Sequence, residues 1–202
     1  MTEAAADVAY ALQLSLGVVF LAAAAPKLRH PGAFAETVAD YRIVPRALAP
    51  AIALVLIAVE AFLAFAFLTG RLMAVALPLA ALALAGFVGA VALNLRRGRD
   101  VPCGCFGDAQ EQISSRSLVR LGVLMAALGA LVATSSAAGT EAVTLASVLD
   151  DGAEGLEYLI AVGGVAGFLL LAGMWALSLP ELVSVLRRPG RREPLETLET
   201  TG

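Results

Sequence analysis

Two cysteines stand two residues apart in Val101-Pro102-Cys103-Gly104-Cys105-Phe106-Gly107, and the chain has no others. The thiolate is the reactive form of cysteine, and exposed, electropositive surroundings favour it. Arg96, Arg97, Arg99 and Arg116 lie nearby in sequence and could supply that field, offset in part by Asp100, Asp108 and Glu111. Gly104 and Gly107 permit backbone angles that other residues resist, and Pro102 restricts the entry. A disulfide between such close neighbours would be strained, and strain makes it easier to reduce. Closing so small a loop would also add little stability. The pair therefore suits exchange better than a structural staple. Two other readings stay open. One is a reduced pair packed inertly in a turn; the other is two thiolates holding a soft ion such as Cu(I). A four-ligand zinc site within the chain is not supported, because His30 is the only histidine and the four methionines are scattered.

The second residue that could do chemistry is Glu60, set in an apolar run. It lies ten residues before Gly70, which in a helix is about 15 Å from that end and near the middle of a bilayer. A carboxylate there is costly and must face other protein. Lys27 and Arg120 are its candidate partners; the alternatives are a protonated carboxyl or a structural hydrogen bond between helices.

The elements that must position these groups are membrane spans. The 202 residues are 59% hydrophobic and only 15% charged, with a mean hydropathy of +0.85. Soluble domains are roughly 45–50% apolar and about a quarter charged. Five stretches reach the roughly 20 apolar residues needed to cross hydrocarbon: 8–25, 47–69, 72–95, 118–134 and 156–179. In lipid every backbone polar group must be bonded internally, so such runs are expected as helices. The fold class expected is all-α, a polytopic bundle over residues 1–186, followed by a charged flexible tail, 187–202. Pro78 interrupts the third span, and Pro26, Pro31, Pro45 and Pro50 are expected to break helices around the segment between spans one and two. That segment is too polar to span and reads either as an ordered loop or as an amphipathic piece in the interface. Residues 1–7 lack the positive charges of a signal peptide, so the first span is expected to stay. Nothing in the sequence suggests nucleic-acid binding.

Lysine and arginine are retained on the cytoplasmic side of short loops. With the N-terminus outside, thirteen of the 14 basic residues fall inside and only Arg71 outside. The expectation is a multi-pass protein of the cell (inner) membrane, N-terminus out and C-terminus in. This places Cys103 and Cys105 on the cytoplasmic side, where a thiol pair is normally reduced and would act as donor. Carrying electrons outward would then need another carrier, such as a quinone or an external thiol protein. Gly163 and Gly167 form a small-xxx-small pattern that permits a homo-oligomer.

Taken together, these residues resemble the MauE family of methylamine-utilisation membrane proteins, within the wider DoxX-like group. The matching features are Ala25-Pro26-Lys27-Leu28 at the end of the first span and a linker with Phe34, Tyr41 and Pro45. Glu60 before Gly70 follows, then Cys103-Gly104-Cys105-Phe106-Gly107, and Ile113-Ser114-Ser115 ahead of Leu118 and Arg120. The likeness covers roughly residues 12–132, and its most specific part is the CGCFG string. It departs from the family pattern where Arg120 is followed by Leu121, and the fifth span lies beyond the shared core. The resemblance implies a four-helix membrane core and thiol–disulfide handling beside a thioredoxin-like partner in maturing an exported enzyme. Cys103 and Cys105 would be the exchanging pair, supported by Gly104, Phe106, Gly107, Glu60, Arg120 and Lys27. The competing class is a non-catalytic membrane subunit or assembly factor that binds a partner protein.

Overall fold

Apolar runs decide where the helices lie, and glycine and proline decide most of their ends. The computed structural model describes residues 2–99, 101 and 113–138. Within these are five helices: α1 (Thr2–Arg29), α2 (Pro31–Asp40), α3 (Ala49–Thr69), α4 (Met73–Arg96) and α5 (Ser115–Ala138). A 3₁₀ turn, Arg46–Leu48, leads into α3. α1, α3, α4 and α5 are each long and apolar enough to cross a membrane. They occupy the first four expected spans; the fifth, 156–179, and the tail lie outside the described residues. The segment between the first two spans is neither a plain loop nor a span, but the ten-residue helix α2 with a short connection.

Proline acts differently from expectation at two places. Pro26 sits inside α1 and does not end it. The helix is only three residues from its end there, and the chain still bonds around the proline through His30 N–H to the Pro26 carbonyl at 3.1 Å. Pro78 likewise sits inside a continuous α4. Its missing N–H deprives only the Ala74 carbonyl of a donor, and the helix continues through it. Pro31 and Pro50 begin helices, at the first-turn positions where a missing N–H costs nothing. Glycine does the stopping. Gly70 after α3 and Gly98 after α4 have φ of 70° and 62°, in the left-handed region that caps helix ends.

α1 is the centre of the assembly. It packs against α3 on one side and α5 on the other, while α4 closes against α5 and α3; α2 lies on α3. Two contacts fix α1 and α3 as antiparallel. Gln13 of α1 donates from Nε2 to the Phe67 carbonyl near the end of α3 (3.0 Å), while Lys27 at the other end of α1 meets Glu60. The Phe67 carbonyl belongs to the last turn of its helix, which has no intrahelical donor to offer, so Gln13 caps α3 from a neighbouring helix. Close by, the Phe20 and Phe67 rings stack at 5.8 Å.

Gly17 makes this approach possible. A Cβ at that position would lie 2.8 Å from Leu68 Cγ and 3.0 Å from the Leu68 backbone nitrogen. A flexible side chain can retreat, but a helix backbone cannot without moving α3. Gly17→Val is therefore expected to lower stability by about 1–3 kcal/mol through overpacking. This would be read as a depressed thermal midpoint of the detergent-purified protein. Gly86→Val, where a Cβ meets nothing within 4 Å, should leave the midpoint unchanged.

Candidate functional site

Topology gathers most of the basic side chains among the described residues at one end of the bundle. The antiparallel α1–α3 pairing puts the end of α1 beside the start of α3. The tight turn at Gly70 sends α4 back toward that same end, and α5 starts there. Lys27, Arg29, Arg42, Arg46, Arg96, Arg97, Arg99, Arg116 and Arg120 all belong to this end.

At its inner edge lies one closed charge centre. Lys27 Nζ donates to both oxygens of Glu60, at 2.5 and 2.7 Å, and the two side chains are only 1% and 4% exposed. Of the two partners expected for Glu60, Lys27 is the one it takes. Two aromatic rings complete the shell: the ammonium stands 4.8 Å from the centre of Phe34 on α2 and 5.6 Å from Phe87 on α4. Four helices thus meet at one ion pair, α1 and α3 through charge and α2 and α4 through ring faces. A cation over a ring is attracted by the ring's quadrupole, so the shell favours the charge while keeping water from it. A paired charge is the form in which ionisable groups are tolerated in a membrane interior. The arrangement locks helices together; it presents no open coordination position and no exposed acid or base.

The second part of the site is the neck of the cysteine segment. Ile113 N–H donates to the Val101 carbonyl at 2.9 Å, and both side chains are buried in the main core. The two ends of the segment 102–112 are thus held together, α4 to α5, by a backbone bond. On the α4 side, Gly98 and Arg99 turn the chain back on Leu95 and Asn94. On the α5 side, Ser117 Oγ accepts from the Ser114 N–H (3.3 Å) while its own N–H reaches the Ser114 carbonyl (3.0 Å). Arg120 is buried one turn further along α5. Cys103, Gly104, Cys105, Phe106 and Gly107 lie outside the described residues.

Sequence reading did not single out Gln13, Asn94 or Ser117, all of which are buried. A signal was present for the first two. Each is an uncharged polar residue in an apolar span, and such residues face other helices. Asn94 uses its Nδ2 on the Ala90 carbonyl (3.1 Å). In the sequence Phe34 is one residue of a polar linker and Phe87 one apolar residue of a span.

A family model described as "Methylamine utilisation protein MauE" matches residues 5–134. A curated relative, the methylamine utilization protein MauE of Paracoccus denitrificans, is 38% identical over 150 residues, which is 74% of this chain and 78% of that protein. No solved structure matches.

Proposed function

The chain belongs to the MauE family of methylamine utilisation proteins, and from that premise we propose that it is a membrane thiol–disulfide exchange protein. Its Cys103 and Cys105 would trade a disulfide with a thioredoxin-like partner, in the maturation of an exported enzyme. The observation that carries the reading is the Cys-Gly-Cys pair itself. Both of the chain's cysteines fall inside the matched region, in the stretch of sequence between hydrogen-bonded Val101 and Ile113.

In the exchange, one thiolate of the reduced pair attacks the partner's disulfide, forming a mixed disulfide and releasing one partner thiolate. The second cysteine then attacks the mixed disulfide. Its sulfur joins the first in an intramolecular bond and the remaining partner sulfur leaves as a thiol. Two electrons and two protons pass to the partner, and nothing else is consumed. The distribution of Lys and Arg supports an inner-side position for the pair, where it would be kept reduced and act as the donor.

The test is labelling with a membrane-impermeant maleimide in intact and permeabilised cells, with and without prior reduction. Expected are unlabelled cysteines in intact cells and labelling after permeabilisation, with a fraction that appears only after reduction. Labelling in intact cells would reverse the orientation and move the partner outside. A pair fully labelled without reduction under every growth condition would leave the cysteines inert and favour a non-catalytic assembly subunit.

A further inference from the structure

Between α2, α3 and α4 runs an apolar cleft of about 470 Å³, within the range of ligand pockets. Its walls include Phe34 and Tyr41 at one end, Val55 and Val59 from α3, and Leu82 and Phe87 from α4. It extends along α4 from Val91 to Leu79, which at 1.5 Å per residue is about 18 Å. One leaflet of a bilayer offers about 15 Å of hydrocarbon. The cleft is therefore one leaflet deep, and it opens sideways between Val55 and Leu82, two of the most exposed apolar residues of the spans. α4 is the least buried of the four long helices.

The mouth lies at the basic end. Tyr41, Ile43 and Val44 line it, and Arg42 and Arg46, both exposed, sit in the same short connection. The acidic residues of α2 are directed elsewhere. Phe34, Val38 and Tyr41 lie on one face of the helix, whereas Glu36 and Asp40, one turn apart, fall on the opposite face. The polar groups that line the cleft are Thr37 and Tyr41, both at the mouth. A ligand suited to it has an apolar chain about one leaflet long and an anionic head at the membrane surface.

We propose that this cleft is a binding site for one acyl chain of an anionic phospholipid, whose phosphate is held by Arg42 and Arg46. The bound chain lies against the outer sides of Phe34 and Phe87, the two rings that cover Lys27. It completes the dry wall around the Lys27–Glu60 pair.

The test uses the full chain, delipidated in detergent and titrated with phosphatidylglycerol, with phosphatidylcholine of the same chain length, or with a prenylated quinone. Binding is read by native mass spectrometry. Expected is a single phosphatidylglycerol per chain that resists detergent exchange, at least tenfold tighter than phosphatidylcholine. Gly86→Phe, which projects into the cleft from a position with open space around it, should abolish that site. Arg42→Ala and Arg46→Ala should each weaken phosphatidylglycerol about fivefold and leave phosphatidylcholine unchanged. These positions are exposed, so folding is not at stake, and an unchanged melting curve checks it. Equal binding of both phospholipids, insensitive to Gly86→Phe, would overturn the proposal and leave ordinary boundary lipid. A quinone that binds more tightly than phosphatidylglycerol would also overturn it and assign the cleft to an electron carrier.

Discussion

Lys27→Ala is expected to abolish accumulation of the folded protein. The substitution strands Glu60, itself 3% exposed, in the interior of the bundle with no other ion-pair partner among the described residues. Removing one member of a buried pair costs about 3–5 kcal/mol, because the remaining charge is left uncompensated. That is a large part of the roughly 5–15 kcal/mol by which proteins are stable. Glu60→Ala should do comparable damage by stranding the ammonium, although Phe34 and Phe87 still face it. The informative variant is the double one. Lys27→Met with Glu60→Leu replaces the pair by apolar groups of similar length, a change that is often neutral or stabilising. If the pair serves only to join helices, the double variant recovers a wild-type melting midpoint in detergent and full maturation of the dependent enzyme. Recovery of the midpoint without recovery of function would give the pair a role in the chemistry. A Lys27→Ala protein as stable as the wild type would refute the packing argument itself.

Cys103→Ser and Cys105→Ser should have the opposite profile. If the pair exchanges disulfides as proposed, each is expected to reduce maturation of the exported enzyme to the level of a strain lacking the gene, since a hydroxyl cannot form the mixed disulfide. Stability should not change, because closing so short a loop constrains the unfolded chain very little. The two variants are also expected to differ from one another. When the attacking cysteine is kept and the resolving one replaced, the mixed disulfide accumulates and can be seen as a reducible adduct on a non-reducing gel. The reciprocal variant gives none. Full function in both serine variants would discard the exchange mechanism in favour of an assembly role.

Most of the scaffold was legible in the sequence because a membrane leaves few choices. An apolar run of span length must be a helix, and α1, α3, α4 and α5 lie where those runs lie. Glu60 was legible as a site for the same reason, since a carboxylate in hydrocarbon demands a partner. Choosing between Lys27 and Arg120 required the helix arrangement, because either can reach a neighbouring helix and only packing decides which one does. Pro26 and Pro78 were misleading: each removes one backbone bond from a long apolar helix that stays continuous around it, and the sequence does not show whether a helix breaks or tolerates that loss. α2 was legible only as an ambiguity, since its ten residues mix charges with Phe34 and Val38 and suit more than one environment. The rings of Phe34 and Phe87 were hidden altogether. An aromatic residue that faces a cation and one that faces lipid have the same hydropathy.

The ion pair also bears on how the chain enters the membrane. Lys27 is synthesised first and Glu60 follows 33 residues later. A lone charged side chain near the centre of an inserting helix is disfavoured by about 2.5–3.5 kcal/mol on insertion scales. α3 alone would carry that penalty, whereas α3 beside α1 does not. Insertion of the two spans as a hairpin therefore avoids a state that neither span reaches comfortably alone. α2, packed on α3 in the connection between them, belongs to the same unit. Biogenesis would then begin with a charge-matched hairpin, to which α4 and then α5, with the cysteine segment between them in sequence, are added later.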